Sequence, residues 1–342
     1  MIKIHKKTRR PTLHDVAKLA QTSVMTVSNV INHKESVAEP YKKRVISAIK
    51  EIGYRPNTRG RNLKLARAFT VGFVIIHPDR KFLDDPFVTQ LAAGISNILV
   101  NHNYGMLVTG TQSINEIESV LDNIANLDSV IMLVSGIESE RVKAYRRISS
   151  CGMPTVIIQD SVPGDMTDVF SIEQTDRKGS ACLATSLIKS GVRKILFVET
   201  RHAWRAIEQR KKGAIDAVNN FVEIDFLSVD DSNISEALIA IRDKLESCKS
   251  IEAVMGATDQ IGIAAVQAAK SLGIKVPHEM KITGFNGFYF RDYFSPLLTS
   301  VESPSYEMGE LTAKIILNRL EVGFFKDVNL LLPTKILKGN TI

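Results

Sequence analysis

Two sets of residues in this 342-residue sequence have types and spacings that could do chemistry. The first lies near the N-terminus, where Ser23, Thr26 and Ser28 surround Met25 and Asn29. Hydroxyls at a helix start can hold phosphate oxygens, which positions a protein on a duplex without reading its sequence. An asparagine can pair bidentately with adenine, while apolar side chains such as Val24 and Met25 suit thymine methyl groups. Val24 would serve equally as core, and His14 could touch a phosphate or simply lie on the surface. The second set is dispersed: His77-Pro78-Asp79, Gly110-Thr111, Ser135-Gly136, Asp160, Thr200-Arg201-His202, Thr258-Asp259 and Asn286. Each follows an apolar, β-branched run. In an open α/β fold, ligands bind just outside the carboxyl ends of the strands, so these polar groups would converge on one cleft. Arg201, His202 and Arg205 add positive charge nearby, and Trp204 could line the cleft or cap a helix.

The same residues argue against an enzyme. No Gly-x-Gly-x-x-Gly follows a strand, and no phosphate loop, nucleophile elbow or His-Glu-x-x-His occurs. His77 and His202 could share a cleft with Asp79, but nothing supplies a nucleophile or a metal cluster, and no cofactor is expected. Cys151, Cys182 and Cys248 are odd in number and far apart, which fits a reducing cytoplasm rather than a disulfide framework. No apolar run is long enough to span a bilayer, and the basic start has no apolar segment behind it, so neither a membrane span nor a secretory signal is expected.

The elements that must position these groups follow from periodicity. Leu13, Val16, Ala17 and Ala20 recur at helical spacing behind Thr12, and Asp15 completes a capping box. After the break Gln21-Thr22-Ser23, with Ser23 as a second cap, Val24, Val27, Val30 and Ile31 mark another helix. A third runs from about Pro40 to Ile52, where Gly53 ends it. Three helices with a three-residue turn between the first two form a helix-turn-helix, whose second helix enters the major groove. From Thr70 onward the pattern predicts strands at Val71–Ile76, Gly105–Thr109, Val130–Val134, Thr155–Ile158, Lys194–Val198, Ala253–Met255 and Lys281–Phe285. Helices are predicted near 87–101, 113–126, 139–150, 176–190, 204–220, 233–248 and 259–272. This alternation implies parallel sheets flanked by helices, in two lobes, with Val169–Ile172 as a crossover between them.

Charge divides the chain at the same place. Residues 1–67 hold 16 Lys+Arg and four acids, a balance of +12, against −5 for the remainder. A basic head on a mildly acidic body is the footprint of a nucleic-acid module joined to something with another task.

Thr12-Leu13-His14-Asp15-Val16-Ala17, Thr26-Val27-Ser28 and Val30-Ile31-Asn32 resemble the helix-turn-helix signature of LacI/GalR-family transcriptional regulators. Gly53-Tyr54-Arg55-Pro56-Asn57 resembles that family's closing element, and Arg61 and Leu63 fall at its hinge-helix positions. In the body, Asp85-Pro86-Phe87, Thr258-Asp259 and Gly284-Phe285-Asn286 resemble its recurring turns. The resemblance implies an α/β chain with an N-terminal three-helix head and a two-lobed, periplasmic-binding-protein-like body of parallel sheets. Its domains would be a head at 1–57, a hinge helix or linker at 58–68 and a body at 69–342. Lobe one would hold about 69–170 plus 303–330, and lobe two about 171–302 plus 331–342. The head would contact DNA through Thr12, Leu13, His14, Ser23, Val24, Met25, Thr26, Ser28, Asn29, Asn32, Tyr54, Asn57, Arg61 and Leu63. Phe87 would pack on a small effector that Asp160, Arg205, Arg210, Asp259 and Asn286 hydrogen-bond or attract.

Three positions depart from the family pattern: Asn29 stands for the usual Arg, Gly60 for Ala and Asn286 for Asp. The expectation is a cytoplasmic, homodimeric, ligand-responsive regulator, most simply a repressor. It would bind a pseudo-palindromic double-stranded operator and a sugar or sugar-acid effector. A purine- or nucleoside-responsive regulator and a cytoplasmic α/β enzyme with a basic arm are the alternatives.

Overall fold

The computed structural model describes residues 11–31, 37–54, 67–79, 81–218, 220–230 and 233–342. The chain divides into two compact units, 1–67 and 68–342.

The first unit contains α1 (Leu13–Leu19), α2 (Val24–Ile31) and α3 (Glu39–Ile52). Thr12 and Asp15 form the reciprocal capping box that the sequence predicts, with the Thr12 N–H donating to the Asp15 carboxylate at 2.7 Å. Gly53 closes α3 with φ 63°, a left-handed conformation that favours glycine. Val16, Ala17, Val27, Val30, Val45 and Ala48 meet in a core belonging to this unit alone.

The second unit runs β1 (Thr70–Ile76), α4 (Pro86–Asn101), β2 (Gly105–Thr111), α5 (Ile117–Ile124), β3 (Ser129–Val134), α6 (Glu138–Ser149), β4 (Thr155–Ile158) and β5 (Val169–Gln174). It continues through α7 (Asp176–Lys189), β6 (Lys194–Thr200), α8 (Arg205–Ala217), β7 (Glu223–Val229), α9 (Ile234–Ser247), β8 (Ala253–Gly256), α10 (Asp259–Ser271) and β9 (Lys281–Thr283). It ends with β10 (Ser300–Glu302), α11 (Ser305–Val322), β11 (Asn329–Leu332) and β12 (Lys335–Leu337). Lobe one is a 6-stranded sheet in the order β11-β5-β4-β3-β1-β2, and lobe two a 4-stranded sheet in the order β7-β6-β8-β9. Every pairing within these two sheets is parallel. Helices cover both faces of each sheet, which is why central strands such as β3 and β4 are buried along their whole length.

Small residues let the covering helices approach. A Cβ at Gly94 of α4 would lie 2.1 Å from the Tyr306 carbonyl oxygen of α11, and one at Gly309 would lie 2.2 Å from that of Leu91. Gly213 of α8 plays the same part against the Arg177 carbonyl of α7, at 2.0 Å.

The lobe boundaries differ from the expected ones. Val169–Ile172 is not a crossover but most of β5, which pairs with β4 and β11 inside lobe one. The chain crosses immediately after Gln174, returns near Ser303 and crosses again near Thr334. Hydrogen bonds tie the three passages together: Ser303 Oγ donates to Gln174 Oε1 at 2.6 Å, and the Thr334 N–H donates to Thr175 Oγ1 at 2.9 Å. No helix among the described residues is long and apolar enough to cross a membrane.

Candidate functional site

In the head, the Ser23 hydroxyl accepts the Thr26 N–H at 3.0 Å and so fixes the start of α2. From that start, Met25, Ser28 and Asn29 fall at i, i+3 and i+4 and share one face. Met25 is 75% exposed, and no other side chain of α2 is open to that degree. Val27 and Val30, opposite, are buried. Val24 is half-buried and packs against the core, as does Leu13. His14 is exposed. The Thr12 hydroxyl is taken up by Asp15 at 2.7 Å. Tyr54, expected at DNA, is a core residue instead, 5% exposed beside Val45 and Ala48, because the turn at Gly53 folds it back under α3. Asn32, Asn57, Arg61 and Leu63 lie outside the described residues.

In the body, a cavity opens between the lobes at the carboxyl ends of β3, β4 and β6. Lobe one contributes Asp85, Phe87, Leu133, Ile158 and Gln159 to its wall. Lobe two contributes Thr200, Trp204, Arg205, Arg210, Thr258 and Asn286. Phe87 is placed by the Asp85 cap of α4, whose carboxylate accepts the Phe87 N–H at 2.8 Å, with Pro86 in the first turn. Trp204 lies with its ring 5.3 Å from that of His77, which joins the lobes at one side. Burial there pushes the His77 imidazole below its ordinary pKa.

Arg210 is almost wholly buried. Its Nε donates to Asp176 at 2.7 Å, Nη1 to the Ala257 carbonyl at 2.8 Å and Nη2 to Asn286 Oδ1 at 2.9 Å. Its guanidinium lies 3.9 Å from the centre of the Phe285 ring. Burial raises the Asp176 carboxyl, and Arg210 pulls in the other direction.

Asp160 sits behind the cavity wall, not in it. Arg141 Nε donates to it at 2.6 Å and the Tyr145 hydroxyl at 2.9 Å. Burial first, and the Asp160 charge second, lift the Tyr145 hydroxyl well above its ordinary value, so it stays a donor. Arg205 also joins Asp160 across the cleft, at 3.1 Å. Asp259, expected among the effector contacts, is fully buried inside lobe two, where it accepts the Phe288 N–H at 2.7 Å and the Ser300 hydroxyl. Burial pushes its carboxyl up to about 6. The adjacent Thr258 lines the cavity in its place.

Of the polar strand ends, Thr200, Thr258 and Asn286 therefore meet at one cavity. Ser135, Gly136 and His202 border a neighbouring one, and Arg201 lies on an outer groove of lobe two. Gln159, Arg141 and Tyr145 escaped sequence reasoning. The signal for Arg141 was an arginine on the buried stripe of α6, in register with Ala144, Tyr145 and Ile148. Gln159 gave none beyond following a strand. No group of acids, histidines and cysteines among the described residues could hold a metal ion.

Comparison with known proteins places both units. The family described as bacterial regulatory proteins, lacI family, matches residues 12–57, and the periplasmic binding protein-like domain matches residues 184–342. The uncharacterized HTH-type transcriptional regulator YvdE of Bacillus subtilis (strain 168) is 31% identical over 90% of this chain and 92% of its own. The ribose operon repressor of Halalkalibacterium halodurans is 27% identical over 96% of both chains. Among solved structures, a complex of the transcriptional regulator CelR with cellobiose superposes with a TM-score of 0.71 at 25% identity, covering 97% of this chain and 100% of that one.

Proposed function

Because the chain belongs to the LacI family of bacterial regulatory proteins, DNA-binding transcription regulators rather than enzymes, we propose that it is a cytoplasmic, homodimeric repressor switched by a saccharide effector. The observation that carries this reading is the pairing of a capped reading helix, with Met25 and Asn29 on one face, with a cleft between two lobes of the body at the carboxyl ends of their strands. The charge balance supports it, since a +12 segment beside a −5 segment confines attraction for phosphates to the head.

On this reading Met25 meets a thymine methyl group and Asn29 pairs with adenine, while Ser23, Thr26 and Ser28 contact phosphates. Two heads related by a two-fold axis would read a pseudo-palindromic operator. Asn57 and Arg61 extend the contact, and Leu63 wedges into the minor groove between half-sites. Such a wedge unstacks a base step and bends the duplex. The relatives named for a ribose operon and for cellobiose support a saccharide as effector. The effector acts by its different affinity for open and closed lobes.

The test is selection of genomic DNA fragments by the full chain, followed by titration at several salt concentrations. A two-fold symmetric site and affinity falling steeply with salt are expected, as is loss of all DNA binding in a protein of residues 68–342. Turnover of a small molecule with no selected DNA would overturn the reading. Leu63→Ala should abolish bending and weaken operator binding about 10-fold or more without changing effector affinity.

A further inference from the structure

We infer that the effector carries a carboxylate, and that the two amide side chains of the cleft, Gln159 and Asn286, receive it. This rests on the reading of the cleft as a saccharide site.

The orientation of both amides is fixed by their neighbours. Arg210 has only donors, so the Asn286 atom that it meets at 2.9 Å is the oxygen, and the Asn286 Nδ2 is left without a partner among the described residues. The Gln174 backbone N–H likewise has only a proton to give, so it meets Gln159 Oε1, at 3.2 Å. The Gln159 Nε2 is buried and has no hydrogen-bond partner among the described residues. Both residues are more than nine-tenths buried, and both line the same cavity. Each therefore has its donor end unspent and a hydrogen bond already made at its acceptor end.

Both also sit in strained backbone. Gln159 has φ 58° and Asn286 φ 110°, left-handed values that non-glycine residues seldom adopt. Strain of this kind persists where the surroundings enforce it, and it clusters at ligand sites. A buried amide N–H without a partner is costly to keep, and a ligand oxygen removes that cost.

The remaining wall agrees. Its charged residues are Arg205, Arg210 and a single carboxylate, Asp85, whose Oδ1 is engaged by the Phe87 N–H. The Thr258 hydroxyl accepts the Ile261 N–H and keeps its proton to give, whereas the Thr200 hydroxyl gives its proton to the His202 carbonyl and keeps its lone pairs. The acids behind the wall are neutralised from the protein side: Asp160 and Glu173 by Arg205, and Asp176 by Arg210. A wall with more unspent donors than unspent acceptors suits an anionic oxygen pair better than a ring of hydroxyls, each of which also needs an acceptor.

The test uses the full chain and matched pairs of probes: glucuronate against glucose, galacturonate against galactose, and gluconate against glucitol. Thermal unfolding and calorimetry report binding. At least one acid should raise the melting temperature and bind at least 10-fold tighter than its neutral partner. Asn286→Asp keeps an acceptor for Arg210 but sets a negative charge against the ligand. It should weaken the acid at least 10-fold while leaving the ligand-free melting temperature within a few degrees. Equal or tighter binding of the neutral partner, or an acid indifferent to Asn286→Asp, would overturn the inference and leave the saccharide reading standing. Binding of none of the six probes, with a purine base binding instead, would overturn both.

Discussion

Arg205 reaches from lobe two to Asp160 of lobe one, Nε to Oδ1 at 3.1 Å, and the same nitrogen lies 3.2 Å from Glu173. The bond is reciprocated, because Arg141 of lobe one approaches Glu208 of lobe two at 3.3 Å. The Gly136 N–H adds a backbone bond across the same gap, to the Ala203 carbonyl at 2.8 Å. The lobes are thus held together by protein groups alone, so an effector acts on a cleft that already has a closing force.

Arg205→Ala should shift the ligand-free body toward an open form. Asp160 keeps Arg141 and Tyr145, so the stability loss should be only about 1 kcal/mol. Small-angle scattering of the variant should give a larger radius of gyration than the parent. An unchanged profile would mean that the pair does not hold the lobes.

Asp259 ties stability to pH. Its folded pKa of about 6 lies above the ordinary 3.8, so the native state holds a proton where the unfolded chain has lost it. By linkage, stability from this group is greatest below about pH 4, falls as pH rises toward 6, and is level beyond, with a total change of roughly 3 kcal/mol. Asp259→Asn mimics the protonated form, since its oxygen can accept from Phe288 and the Ser300 hydroxyl can turn to accept from its amide. Urea midpoints of parent and variant should diverge between pH 4 and 6, in favour of the variant at neutral pH. Parallel curves would refute the assignment.

Asn29→Ala should cost about 1–3 kcal/mol in binding to the selected operator and relax the preference at one base pair per half-site. The salt dependence should stay the same, because no phosphate contact is lost. Anisotropy titrations on the operator and on its single-base variants separate the two effects.

Gly94→Ala tests the helix crossing in lobe one. The new Cβ would meet main-chain oxygen, which cannot rotate away, so α4 and α11 must part. A loss of about 1–3 kcal/mol is expected in denaturant unfolding. Gly191→Ala, where φ is 97° but no atom approaches, gives the comparison with strain alone.

How much of this was legible depended on the kind of signal each element carries. Central strands such as Thr155–Ile158 are continuous apolar runs, and Thr12, Ser23 and Gly53 are chemical punctuation, so the head and the lobe cores could be read directly. The edge strands β7 and β11 could not, although β2 and β9 at the opposite edges are foreseen as Gly105–Thr109 and Lys281–Phe285. β7 alternates charged and apolar residues because one side has no neighbour, and it blends into a helical pattern. The 18-residue helix α11 buries Met308 and Ile316 together with Ser305, Gly309, Thr312 and Ala313, so small and polar residues interrupt its apolar stripe. In the cleft, turns named the right neighbourhood, but which side chains face the ligand is decided by partners distant in sequence. Asp259 is claimed by Ser300, and Asp160 by Arg141, so neither could be told from a ligand contact by position alone. Gln159 became visible only through Gln174, on another strand.

The stitching of the three passages between the lobes has a mechanical consequence. Three separate strands of chain, if independent, would let one lobe twist, slide or tilt on the other. Here Gln174 binds Ser303, and Thr175 binds Thr334, so the passages behave as one strip. A strip bends about its width and resists the other motions, so lobe movement reduces to a single angle. Gln174 also binds Asp176 at 2.9 Å, which holds Arg210 and, through it, Asn286. Whatever occupies the cleft therefore pulls on the strip itself, and one spectroscopic distance between the lobes would be enough to follow the whole motion.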